Sequence, residues 1–169
     1  MMAERKTVYK LFFVWDFEKE ERWLNEMALE GWALSSVGFC RYTFERTEPG
    51  EYVIRLEMHG ADEEYLSFMR ESGAEYVGRV IQWIYFRKKA ELGTFEVFSD
   101  LDSRLDHLTR VEKMLKAIGL LNLLTGAINV INGSLIGLVN LLLSTLLMYG
   151  LGRITGKREE MEKERQIHE

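Results

Sequence analysis

From residue 117 to residue 152 the chain reads AIGLLNLLTGAINVINGSLIGLVNLLLSTLLMYGLG, 36 residues without a charged side chain. As one helix this stretch would run roughly 54 Å, well past the roughly 30 Å hydrocarbon core of a bilayer, so it must be broken. Asn132-Gly133-Ser134 offers the break, because Asn and Gly tolerate the positive backbone angles of a tight turn. Two arms of roughly 18 residues result, near the lower limit for spanning, and 117–152 is read as a transmembrane helical hairpin. Arg110, Lys113 and Lys116 precede it and Arg153, Lys157 and Arg158 follow it. The positive-inside rule then predicts a multi-pass protein of the cytoplasmic membrane with both termini cytoplasmic.

The competing reading is a buried hairpin in a soluble protein or an obligate dimer, since long apolar runs also occur in cores. Such helices usually keep a polar face. Here the non-apolar positions are small or uncharged: Gly119, Asn122, Gly126 and Asn129 on the first arm, Gly137, Asn140 and Ser144 on the second. Their spacing puts them on one side of each helix, where small residues allow close backbone approach and Asn hydrogen-bonds across an interface. They are the expected membrane-helix packing residues, within the hairpin or between protomers. Asn in an ion path is the sharper alternative.

The remaining chain has room for one soluble domain of ordinary size. A formal net charge of -5 and no basic stripe with interleaved aromatics argue against nucleic acid as a partner. Cys40 is the single cysteine and forms no internal disulfide, which suits a reducing compartment. The N-terminus has no apolar stretch before the first predicted strand, so no signal peptide is expected. The organisation predicted is a cytoplasmic α+β domain over 1–98, a juxtamembrane helix over 99–116, the hairpin, and a charged tail over 153–169.

Within the domain, 7–15 (TVYKLFFVW) reads as a strand, being aromatic and β-branched and too short for a buried helix. Residues 16–30 read as a helix with acidic residues in its first turn and Gly31 as its stop. Strands at 32–38 and 39–47 follow. The pattern then recurs: strand at 52–58, helix at 61–72, Gly73, and a strand pair to 89. With a shift of about 42 residues Trp23 falls on Tyr65, Leu24 on Leu66, Met27 on Met69, Gly31 on Gly73 and Phe44 on Phe86, which points to a duplicated strand-helix-strand-strand unit over 7–47 and 51–89. Two such units make an antiparallel sheet of about six strands with two helices on one face. Alternation puts Tyr9, Leu11, Phe13 and Trp15, matched by Tyr52, Ile54, Leu56 and Met58, on the buried face with Tyr42, Phe44, Ile84 and Phe86. Phe12, Val14, Trp83 and Tyr85 then lie on an outer face that needs a cover. Residues 92–98 are an extra strand or extended arm able to supply it. Ser99 is read as the cap of an amphipathic helix carrying Leu101, Leu105, Leu108, Val111 and Leu115 toward the first arm. The tail is read as a solvated end or a continuation of the second arm.

KLFFVWDFEKEERWLNEMALEGWALSS, then EYVIRLE, YFRKKA and FSDLDSRLDHLTR ahead of an apolar hairpin, resembles the bacterial membrane proteins of domain of unknown function 2812. The most specific part is Trp23-Leu24-Asn25-Glu26-Met27 with Gly31-Trp32. The resemblance implies a small membrane protein, of a kind often encoded beside PadR-type transcriptional repressors, and carries no catalytic motif. The doubled unit is also similar in element order to GyrI-like ligand-binding domains, whose cleft accepts bulky, often cationic molecules; that likeness is of topology.

No catalytic constellation, metal-ligand spacing or glycine-rich phosphate loop is found, so no enzyme activity, metal or cofactor is expected. His59 and His107 read as surface residues. The expected ligand-binding set is Trp15, Trp23, Trp32, Tyr65, Tyr76 and Trp83, with Glu26 or Glu57 to neutralise a cation. Aromatics at these positions also serve as core. Two functions are expected. The first is a non-enzymatic, membrane-anchored regulatory or adaptor protein that engages a protein partner, in contact with membrane lipid and able to self-associate. The alternative is a membrane-tethered sensor binding an amphipathic or cationic small molecule between the two domain helices. A groove with an isolated carboxylate favours the sensor; a filled core and an exposed apolar patch favour the adaptor.

Overall fold

The computed structural model describes residues 4–60, 62–98 and 101–168, the last three of these as backbone only. The fold is α+β with a C-terminal helical hairpin, divided into two compact units, Met1–Ser99 and Asp100–Glu169. Ser99, expected as a helix cap, lies outside the described residues.

In the first unit the elements run β1 (Arg5–Tyr9), α1 (Phe17–Leu29), β2 (Trp32–Gly38), β3 (Arg41–Arg46), β4 (Tyr52–Met58), α2 (Glu63–Glu71), β5 (Ala74–Val80) and β6 (Trp83–Lys89). β1 stops six residues short of the predicted end. Its ladder neighbour among the described residues, β3, begins at Arg41 opposite Tyr9, so the ladder ends after the Lys10 N–H donates to the Cys40 carbonyl at 3.1 Å. The chain turns through residues 10–13 and a 3-10 turn, Val14–Asp16, into α1. The buried face expected for Tyr9, Leu11 and Phe13 is therefore not formed: these three are exposed, and Trp15 alone of that set is buried.

The six strands hydrogen-bond as two three-stranded antiparallel sheets, β1-β3-β2 and β4-β6-β5, where the sequence predicts one sheet. β2 and β5 run side by side without a ladder. Each is bulged at the same repeat position, between Leu34 and Ser36 and between Tyr76 and Gly78, and a bulge disrupts the pairing pattern. A Cβ on Gly78 would stand 3.0 Å from Val37 Cγ1, so glycine is what lets the sheets approach at this seam.

The 42-residue repeat holds for β2 and β5, for β3 and β6, and for the closing glycines Gly31 and Gly73, both at positive φ. It slips at the first strands. Glu45 and Arg87 are equivalent at that step, yet they pair with Arg5 and Ile54, which are 49 residues apart. Counted to the equivalent helix positions Trp23 and Tyr65, the run from the end of β1 is thus seven residues longer than that from the end of β4, and α1, which starts four residues earlier in the repeat, takes up four of them.

α1 joins the halves. The Asn25 side-chain amide donates to the Ile54 carbonyl at 2.8 Å and its oxygen accepts from the Ile54 N–H at 2.9 Å, while Glu21 accepts from the Leu56 N–H at 3.2 Å. These side chains stand in for a neighbouring strand along the edge of β4. Ladder register puts Leu56 and Met58 on the same face as Tyr85 and Trp83, not with Ile84 and Phe86 as the sequence predicts. That face is not an uncovered outer one. Phe17 and Glu20 of α1 meet Trp83 and Tyr85, whereas Leu66 and Met69 of α2 pack with Ile84 and Phe86. The segment after β6 forms a 3-10 turn (Ala90–Leu92) and an irregular arm; Phe95 joins the α2 core, so the arm covers the α2 side.

The second unit is α3 (Leu101–Ile131) and α4 (Ile136–His168), joined by a short turn with Gly133 at φ +75°. Added Cβ atoms on Gly126 and Gly137 would meet the opposite helix at 2.9 and 2.7 Å, and the Ser144 hydroxyl donates to the Gly119 carbonyl at 2.9 Å. Asn122 donates to Ile118 of its own helix, and Asn129 and Asn140 are half-buried. Toward the open end the tail runs along α3, with Arg158–Glu112 and Arg165–Asp102 ion pairs at 3.0 and 2.9 Å. Leu108, Val111, Leu115 and Ile154 are buried there, and so is His107, expected at the surface. Between Ile118 and Tyr149 most large apolar side chains are exposed. Both helices are long and apolar enough to cross a membrane.

Candidate functional site

The extra residues before α1, together with its first turn, border a cavity of about 100 Å³. Its walls are the loop 10–14, Phe17 and Glu20 of α1, and the tips of the two hairpins, Gly38–Cys40 and Val80–Ile81, with Tyr42, Trp83 and Tyr85 completing the lining. One side chain sets its chemistry. Glu20 falls on the buried stripe of α1 with Phe17, Leu24, Met27 and Ala28, and it is only 7% exposed.

A carboxyl there needs donors, because an unpaired buried charge costs several kcal/mol. The Tyr42 hydroxyl donates to Glu20 Oε1 at 2.7 Å and the Tyr85 hydroxyl donates to the same oxygen at 2.6 Å. Oε2 accepts no hydrogen bond among the described residues. Burial pushes the Glu20 carboxyl above its ordinary range, while the two tyrosine hydrogen bonds pull it down. Both tyrosines are pushed up, by burial first and by the Glu20 charge second, so they remain protonated donors.

The remaining surface of the cavity is largely aromatic and apolar. Trp83 packs on Phe17 with ring centres 5.4 Å apart, and Phe12 lies tilted against Trp23 at 5.5 Å. The Lys10 ammonium sits 4.3 Å from the Trp23 ring centre and 4.9 Å from that of Phe12, so this aromatic surface already holds one cation. Leu11, Phe13, Phe39 and Ile81 both line the cavity and are exposed, which makes them its rim. Ile81 holds φ +57° in the β5–β6 turn, a conformation that β-branched residues rarely adopt.

Of the residues singled out from the sequence, Trp83 lines the cavity. Trp23 packs behind it against Tyr42 and Phe44, and Trp15 stacks on Phe13 at 4.8 Å. Glu26 is exposed; Trp32 lies against Lys6 and Arg46; Tyr65 stacks on His59 and donates to Glu57 at 2.9 Å. No α2 residue lines the cavity, so it is not a groove between the two helices. Sequence reasoning treated Glu20 as one of several dipole-facing acids. The signal that would have found it is its step of three from Phe17 and four to Leu24, an acid inside an apolar stripe.

Neither a curated protein nor a solved structure matches the chain. A family model described as Protein of unknown function (DUF2812) matches residues 16–120, from the start of α1 through Glu20 and strands β2 to β6 into α3. As that match covers more than half of the chain, the protein belongs to the DUF2812 family.

Proposed function

We propose that the protein is a membrane-anchored, non-enzymatic sensor of a small amphipathic cation, with the ammonium head at Glu20 and the apolar tail laid over the rim. Glu20 carries this reading: a buried carboxyl with one unpaired oxygen in an aromatic cavity is the chemistry that binds an alkylammonium group. The volume, about 100 Å³, is well under the roughly 300–1,000 Å³ of drug-sized pockets and suits a headgroup rather than a polycycle. Of the two expected functions the cavity favours the sensor over the adaptor. Arg110, Lys113 and Lys116 before the apolar hairpin and Arg153, Lys157 and Arg158 after it support a multi-pass anchor with both termini cytoplasmic. Reporter fusions at either end check this; a reporter active on the far side would reverse it.

All four tryptophans fall before residue 84, in the first unit, so their fluorescence reports that unit within the intact chain. Titration of the detergent-solubilised protein with dodecyltrimethylammonium should give a saturable change. Glu20→Gln should weaken binding by on the order of tenfold or more, the worth of losing a charged partner at a desolvated site. Equal binding by dodecanol, or an unchanged affinity in Glu20→Gln, would overturn the proposal.

A further inference from the structure

We infer that the hairpin-tip end of the first unit docks on an anionic lipid surface, so that the cavity mouth opens into the headgroup layer. The rim is unusually apolar for a free surface: Phe39 is 77% exposed, Ile81 71% and Leu11 62%, with Phe13 and Tyr9 beside them. It is also basic. Around the tips, segments 8–15, 37–43 and 76–86 contain Lys10, Arg41 and Arg79 and no acidic residue, in a chain whose net charge is -5. Lys10, Arg41 and Arg79 are exposed and make no ion pair among the described residues. Apolar side chains ringed by cations that no carboxylate neutralises are the composition that partitions into an anionic interface, where each basic residue contributes roughly fivefold to binding.

Two further observations choose lipid as the occupant. The same chain carries two helices long and apolar enough to cross a bilayer, which holds the rim at high effective concentration near that surface. And Ile81 keeps an apolar side chain 71% exposed on a backbone angle that favours Gly or Asn, so the strain is not offset by burial. A mouth set in an anionic leaflet also faces the place where amphipathic cations concentrate. The docking itself does not depend on that ligand, since the rim is exposed whether or not the cavity is filled.

The test uses the full chain in nanodiscs with an environment-sensitive fluorophore on Gln82→Cys in a Cys40→Ser background, and a control label on Glu48→Cys at the opposite end of the strands. In discs containing anionic lipid the residue 82 label should be quenched by shallow spin-labelled lipid and shielded from iodide, and the residue 48 label should not. Arg41→Glu with Arg79→Glu, neither of which lines the cavity, should lower the docked fraction by on the order of tenfold and restore iodide access. Equal iodide access at the two labels in anionic discs overturns the inference. So does shielding that is indifferent to lipid charge and rises with protein concentration in detergent, which would assign the rim to a second copy of the chain. Neither outcome touches Glu20→Gln binding in detergent, so the two proposals fail separately.

Discussion

The two halves of the first unit place a carboxylate at the same repeat position and use it in opposite ways. Asp62 stands just before α2, exposed, and its side chain accepts from the Tyr65 N–H at 2.7 Å, the ordinary task of an N-terminal cap. Glu20, 42 residues earlier, lies one turn inside α1 because α1 starts sooner, at Phe17. Glu20 makes no cap contact there, and Tyr42 and Tyr85 are its donors. Those tyrosines come from different sheets and are not equivalent in the repeat, since Tyr42 corresponds to Ile84. The difference follows from packing. α2 lies on one sheet, whereas α1 meets the Tyr42 and Phe44 side of one sheet and the Trp83 and Tyr85 side of the other. A helix held on two sides buries what its twin exposes, and the site is the consequence.

The equivalent leucines should differ most. Leu24, fully buried, sits on the helix held by two sheets, and Leu66, 7% exposed, on the helix held by one. Leu24→Ala should cost about 4 kcal/mol and Leu66→Ala about 2, the upper and lower parts of the range for buried leucine, because the doubly packed site has less freedom to collapse. Denaturant unfolding of the full chain in detergent, followed by tryptophan fluorescence, measures both. Equal costs would mean the helices are held alike.

A smaller effect separates the carboxylates by pH. The folded-state pKa of Glu20 is raised by burial above its reference of 4.5. Between the two values the folded chain holds a proton that the unfolded chain has lost, so stability falls as pH rises. The contribution is complete below about pH 4.5 and is lost as pH passes the raised value. Glu20→Gln should flatten this slope. Tyr42→Phe with Tyr85→Phe removes the two donors that hold the pKa down, so the window should extend to higher pH, with a further loss of about 2 kcal/mol where the carboxylate is ionised. A slope unchanged in Glu20→Gln would show that another group carries it.

What was legible in the sequence was whatever depends on local pattern. The uncharged 117–152 stretch, the break at Gly133, the glycine stops and the 42-residue repeat all rest on composition and spacing within one or two elements. What was missed depends on who the neighbour is. TVYKLFFVW has strand propensity to its end, yet β1 stops at Tyr9 because β3 has already turned away at Cys40. The β4 face was assigned by alternation alone, which fixes that Leu56 and Met58 share a side but not which helix covers it. The aromatic pattern pointed to Trp83 but to Glu26 or Glu57 as the acid, since nothing local reveals that Glu20 would meet two phenols from separate sheets.

The smallest effect concerns the hairpin turns, which also differ between the halves. In the β2–β3 turn the positive φ falls on the second residue, Cys40; in the β5–β6 turn it falls on the first, Ile81. A β-branched side chain there is strained by roughly 1 kcal/mol, and Asn tolerates the angle better. Ile81 is 71% exposed, so its replacement forfeits little burial. Ile81→Asn should therefore raise stability by about 0.5 kcal/mol in detergent. The same change removes an apolar side chain from the rim, so it should lower shielding of the residue 82 label in anionic nanodiscs. Gain in one assay and loss in the other would mark Ile81 as a residue kept for the surface it presents; a loss of stability would mean that the turn is built around it.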